Sequence, residues 1–130
     1  MKVRRIRMGG KDLKYTHSGN EIHIDLPNPI SWDETVDVRI DYIANPREGT
    51  YFFGPDDTYP NQPWQAWTQG ETEDNHHWVP LYDYPNERAT FETILTVDQR
   101  FQAVSNGELL SVEKNKDGTH TWHWLSLIHI

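Results

Sequence analysis

Gln69 and Glu71 are the residues of this chain best suited to chemistry. They stand at i and i+2 after an aromatic run, and in an extended strand that spacing turns both side chains to one face. An ionised carboxylate accepts charge-assisted hydrogen bonds from an ammonium group, and a primary amide beside it adds a donor and an acceptor. The residues Thr72–Trp78 can form one helical turn, with Thr72 as N-cap and acids in its first turn. The positive end of that turn would favour the ionised form of Glu71. The plainer alternative is a surface acid, since most glutamates are exposed.

Trp64, Trp67 and Trp78 flank the pair. They can form an aromatic wall for a sugar or a peptide side chain; alternatively Trp64 and Trp67 fill a core beneath the Pro-rich loop 54–63, because tryptophan carries a large apolar area. Other chemistries find less support. His76 and His77 are adjacent, so on a helix or strand they are expected to diverge. His120 and His123 should lie on opposite faces of a strand. With no His-Glu-x-x-His anywhere, the seven histidines read as surface or turn residues and no metal ligand is expected. There is no cysteine, no Gly-x-Ser-x-Gly elbow and no phosphate-cradling glycine loop. Ser105 reads as a turn residue.

The elements that must position Gln69 and Glu71 are strands. Ile22, Ile24 and Leu26 alternate with polar residues, as do Val36, Val38, Ile40 and Tyr42, and, less cleanly, Phe91, Thr93, Leu95 and Val97. The basic start, Met1–Arg7, also alternates. Turn signals separate these runs, at Gly9-Gly10, Ser18-Gly19-Asn20, Asn106-Gly107 and Asp117-Gly118. Asn106-Gly107 predicts a hairpin between 101–105 and 108–113, and Asp117-Gly118 a second one leading into 119–124. Many short strands with regular turns predict an all-β fold, an antiparallel sandwich or an open curved sheet.

The chain has 130 residues, one domain's worth. Its formal net charge of −8 argues against nucleic-acid binding, which needs a basic face. No run approaches the roughly 20 apolar residues of a membrane helix, and the basic start lacks the apolar centre of a signal peptide. Any export signal of a parent protein would lie outside this chain. Compartment, oligomeric state and residue specificity stay open.

The motifs 51–56 (Tyr-Phe-Phe-Gly-Pro-Asp), 67–71 (Trp-Thr-Gln-Gly-Glu), 78–86 (Trp-Val-Pro-Leu-Tyr-Asp-Tyr-Pro-Asn) and 104–107 (Val-Ser-Asn-Gly) resemble, together, the N-terminal domain of M1 zinc aminopeptidases. These are the relatives of aminopeptidase N and leukotriene A4 hydrolase. The resemblance covers most of the stretch from Ile22 to Trp124. It implies a β-saddle packed on a thermolysin-like catalytic domain, which is not part of this chain. It also implies that Glu71 binds the free α-amine of a peptide substrate with Gln69 in support, and that Asp83 and Pro85 are structural. The family's His-Glu-x-x-His and Gly-x-Met-Glu-Asn motifs are missing. No zinc ligand or catalytic residue is therefore expected here, and zinc is expected only in the intact parent.

The expectation is thus an all-β domain, incomplete at both ends, over 1–124, inactive alone and prone to self-association. The tail 125–130 falls outside the family pattern and resembles translated sequencing-adapter read-through. The rival is a free-standing β-sandwich module that grips a carbohydrate or peptide with Trp64, Trp67 and Trp78. A structural interaction domain without a ligand is the third reading.

Overall fold

The computed structural model describes residues 1–86 and 88–127 as ten β-strands and one turn of 3-10 helix. All of the strand pairing is antiparallel, and the sheets are open. The expected all-β class is therefore observed. No helix among the described residues is long and apolar enough to cross a membrane. The chain divides into two compact units, Met1–Tyr84 and Pro85–Ile130.

In the first unit, β1 (Lys2–Met8) lies between β2 (Lys11–Asp12) and β5 (Arg39–Ile43). A bulge between Val3 and Arg5 shifts the register, so that Val3 pairs with Tyr42 and Ile6 with Ile40. The extra residue brings Val3 and Ile6, three apart, onto one face, where strict alternation would have separated them. Ile6 becomes the only fully buried large side chain among the described residues. On the same pair of strands, Asp41 accepts from Arg39 Nε at 3.0 Å and from Arg7 Nη2 at 2.7 Å. Its hydrogen bonds to Arg39 and then to Arg7 hold its carboxyl below the usual carboxylate range.

Two hairpins complete this unit. β3 (Tyr15–Ser18) pairs with β4 (Glu21–Ile24), and β6 (Thr50–Phe53) with β7 (Gln65–Thr68). The alternation around Ile22 and Ile40 marks real strands, but both are shorter than expected: Leu26 and Val38 lie outside them, each 37% exposed.

The second unit is one three-stranded sheet, with β10 (Thr119–Ser126) central between β8 (Phe91–Asp98) and β9 (Glu108–Lys114). The Asp117-Gly118 hairpin forms as expected and joins β9 to β10, with Gly118 at φ +83°. The Asn106-Gly107 hairpin does not form. Gly107 turns at φ +92°, but 101–105 is not a strand and β9 takes β10 as its partner. A turn dipeptide sets only a local reversal; the ladder partner is chosen by the apolar face. That face carries Leu95, Trp122 and Val112 in one cross-strand row. His120 and His123 fall on opposite faces of β10, as expected, and His123 Nε2 lies 2.6 Å from Glu92 Oε1. Leu125 and Ser126 continue the β10 ladder. Residues 128–130 of the tail lie outside the described residues.

Candidate functional site

The β6–β7 hairpin delivers Gln69 to the surface. Its ladder runs from Thr50–Thr68 to Phe53–Gln65, and one further bond, from the Gln69 N–H to the Gly49 carbonyl at 3.1 Å, extends it past the strand end. Trp67 is sandwiched on the hairpin between Tyr51, at 4.8 Å between ring centroids, and Phe53, at 5.8 Å. These contacts stiffen the strand that ends just before the motif.

Gln69 and Glu71 both lie beyond β7, and both are exposed. The strand-face geometry inferred from their spacing is therefore corrected: Gln69 follows the strand end and Glu71 opens a turn, so no strand presents the pair. The chain reverses at Gly70, whose carbonyl accepts the Asp74 N–H at 3.1 Å, and the Asn75 side chain sits where a Gly70 Cβ would be. The helical turn is also later and shorter than expected. It is a 3-10 turn over Asn75–His77 with Asp74, not Thr72, at its N-cap, and no side chain caps it. So short a helix sums too few peptide dipoles to act on Glu71, four residues before it.

Asp83 holds this turn in place. Its carboxylate accepts from the His76 N–H at 2.8 Å and from Asn75 Nδ2 at 3.2 Å, and its side chain is only 12% exposed. The structural role implied for Asp83 thus has a physical basis. Removing the carboxylate leaves a part-buried N–H and amide without an acceptor. Asp83→Ala is expected to destabilise the chain by about 2 kcal/mol, measured as the urea midpoint at constant slope. A loss below about 0.5 kcal/mol, the level of an ordinary surface change, would mean that the turn stands without Asp83.

The aromatic wall is only partly assembled. Trp64 is 66% and Trp67 45% exposed, so neither fills a core, and the Trp64 ring covers Gly54. Trp78 is half-buried against Gly49. A cleft of about 360 Å³ is lined by Ile22, Ile24, Ile40, His76 and Pro80 among others, and neither Gln69 nor Glu71 reaches it. The histidine pair also departs from expectation: the two rings lie together, with centroids 4.1 Å apart, instead of diverging. Their nitrogens serve different carboxylates, His76 Nδ1 reaching Asp83 and His77 Nε2 reaching Glu48 at 3.1 Å. Glu48 escapes a sequence reading because its loop and the Asp74–His77 turn meet only once the β6–β7 hairpin closes.

The open, antiparallel all-β architecture is shared with a known class of protein domain. The chain belongs to the peptidase M1 N-terminal domain family, whose profile matches residues 4–128. The solved M1 zinc metallopeptidase from Deinococcus radiodurans is similar, with a TM-score of 0.79 at 22% identity over 95% of this chain and 28% of that one. A variant two-domain M1 zinc metallopeptidase bound to L-arginine gives 0.79 at 22% identity over 98% and 29%. A Deinococcus radiodurans variant bound to a Tyr-Ser-Ala substrate gives 0.80 at 19% identity over 98% and 29%. This chain therefore spans a little over a quarter of the length of those structures. The residues present do not fit a catalytic zinc of that family, because no His-Glu-x-x-His occurs.

Proposed function

We propose that this chain is the amine-recognition domain of an M1 metallo-aminopeptidase, with Glu71 receiving the free α-ammonium of a peptide substrate and Gln69 orienting it. The observation that carries this reading is the family match over 4–128, together with the exposure of both side chains on a turn fixed from two sides, by Gly49 and by Asp83. Zinc and the residues that activate water for peptide hydrolysis would sit on the catalytic domain of the intact protein. This chain contributes binding and no proton transfer. Blocking the amine tests the role: the intact protein should cleave a free dipeptide amide and spare its N-acetyl form. Equal cleavage of both would remove Glu71's role.

The surface supports docking onto such a domain. The chain exposes 10925 Å², whereas two separate compact bodies of its two units' sizes would expose together roughly 8,500 Å². The excess exceeds a standard protein interface of about 1,600 Å². It includes Phe91, Leu109 and Val112 on the apolar side of the β10 sheet, at 53%, 39% and 41% exposure. The isolated chain is expected to bind a hydrophobic dye strongly and to self-associate in sedimentation, and the intact protein to do neither. A monomeric, dye-silent isolated chain would count against docking.

The exposed Trp64 favours one other reading, a carbohydrate- or peptide-binding module. In that case tryptophan fluorescence should respond to oligosaccharides, and Trp64→Ala should abolish the response.

A further inference from the structure

Glu48, Asp74 and His77 come from two separate segments, the loop before β6 and the 3-10 turn after Glu71. Their ligand atoms nevertheless lie within 4.8 Å of one another. We propose that these three side chains form a divalent-cation site that clips the Glu48 loop onto the turn following Glu71. The assignment is independent of the amine-binding role of Glu71.

The spacing suits an ion. Ligand atoms about 2.0–2.2 Å from a divalent metal stand roughly 3–3.6 Å from one another. Glu48 Oε2 and His77 Nε2 are already 3.1 Å apart, and Asp74 Oδ1 is 3.9 Å from the same nitrogen. Asp74 stands farther off, so binding an ion requires its carboxylate to turn toward the other two ligands.

The backbone, not the side chains, forces the approach. Gly49 gives its carbonyl to the Gln69 N–H and presses its Cα against the Asp74 carbonyl, so residues 48 and 74 are held side by side. The 3-10 turn sets the other half, with the His77 N–H directed to the Asp74 carbonyl at 3.4 Å. Two carboxylates thus converge on one imidazole nitrogen. Nε2 carries at most one N–H and cannot serve both at full strength. A cation there answers both carboxylates at once and takes the nitrogen lone pair. His76 falls outside the group whose ligand atoms converge, although its ring packs beside His77.

The ligand set selects the metal. One imidazole with two carboxylates suits the borderline first-row ions Zn²⁺, Co²⁺ and Ni²⁺ over Ca²⁺ or Mg²⁺, which take all-oxygen sets. Glu48 is 65% exposed and His77 35%, so the site opens to solvent and leaves coordination positions for water. A bound ion would tie together the loop and the turn on either side of Gln69 and Glu71.

Equilibrium dialysis of the 130-residue chain against Zn²⁺ and against Mg²⁺, with far-UV circular dichroism as a fold check, tests this. One equivalent of Zn²⁺ should bind in preference to Mg²⁺. Both Glu48→Gln and His77→Ala should weaken it at least tenfold. Glu48 lies on the surface, so its variant keeps the test valid if His77→Ala fails to fold. His23→Ala and Glu71→Gln should leave binding unchanged. Glu71→Gln also separates this site from amine recognition. Zn²⁺ binding that survives both Glu48→Gln and His77→Ala, or is lost in His23→Ala, would place the ion on other histidines and overturn the assignment. So would the lack of any preference over Mg²⁺.

Discussion

Intact protein carrying Glu71→Gln is expected to lose roughly 10²-fold or more in kcat/KM on a free-amine dipeptide amide. The size of the loss is the informative part. Glu71 is exposed in this chain, and an exposed carboxylate–ammonium pair contributes only about 0–1 kcal/mol. A loss of that size would be under roughly fivefold. A covered pair behaves differently, because removing one partner strands the other charge away from water at about 3–5 kcal/mol. The proposed role therefore requires the catalytic domain to cover Glu71, and the fold-change reports whether it does. A substrate analogue lacking the amine supplies the second arm of a double-mutant cycle. Wild-type protein should disfavour that analogue by a similar factor, and Glu71→Gln should no longer distinguish the two. A uniform drop on both substrates would instead mean that the substitution disturbs the turn. Glutamine keeps the shape and an acceptor oxygen while removing the charge, so the comparison isolates the charge.

Several strands of this fold could be read from their residues. β4, β5 and β8 each carry period-2 alternation, and in β4 and β8 burial falls on the predicted side: in β8, Thr93, Leu95 and Val97 are half-buried while Ile94 is 62% exposed. Asp117-Gly118 also behaved as read, because a two-strand hairpin is closed by neighbours in sequence. What failed depended on distant partners. The Asn106-Gly107 turn lies beside Leu125, whose carbonyl occupies the space a Gly107 Cβ would need, and β9 pairs with β10. The bulge that buries Ile6 needed knowledge of the β1–β5 register.

The candidate site divides in the same way. Gln69 and Glu71 could be named from chemistry and resemblance, but their spacing suggested a strand face that the structure replaces with a turn. β7 stops at Thr68 because Gly70 follows and Asn75 folds back over it. The Glu48–Asp74–His77 group was illegible for a different reason. Each residue alone looks like a surface polar group, and only hairpin closure makes them neighbours. The reading that His76 and His77 diverge assumed regular helix or strand, whereas here each ring is turned toward its own carboxylate, Asp83 or Glu48, and the two rings meet.

Gly49 is where fold and site meet, and Gly49→Ala is expected to destabilise the chain by about 3 kcal/mol or more, the sum of two costs. Its φ of +78° lies in the left-handed region, which costs a residue with a Cβ about 1–2 kcal/mol. The new methyl would also overlap the Asp74 carbonyl, and a backbone carbonyl cannot swing aside as a side chain can. Relief requires the loop and the turn to part, and that movement strains the Gln69 N–H bond to the Gly49 carbonyl at 3.1 Å. Gly19→Ala is the matched control: its φ of +58° carries the same conformational cost, but nothing lies within 4 Å of the added methyl. It should lose only about 1 kcal/mol. Urea unfolding of both variants separates backbone conformation from overlap, since only the second differs between them. Equal losses would mean that the loop and the turn do not press together as described. A large loss confined to Gly49→Ala, with weaker discrimination between free and N-acetyl substrates in the intact protein, would show that the placement of Glu71 depends on the Gly49 contact as much as on Asp83.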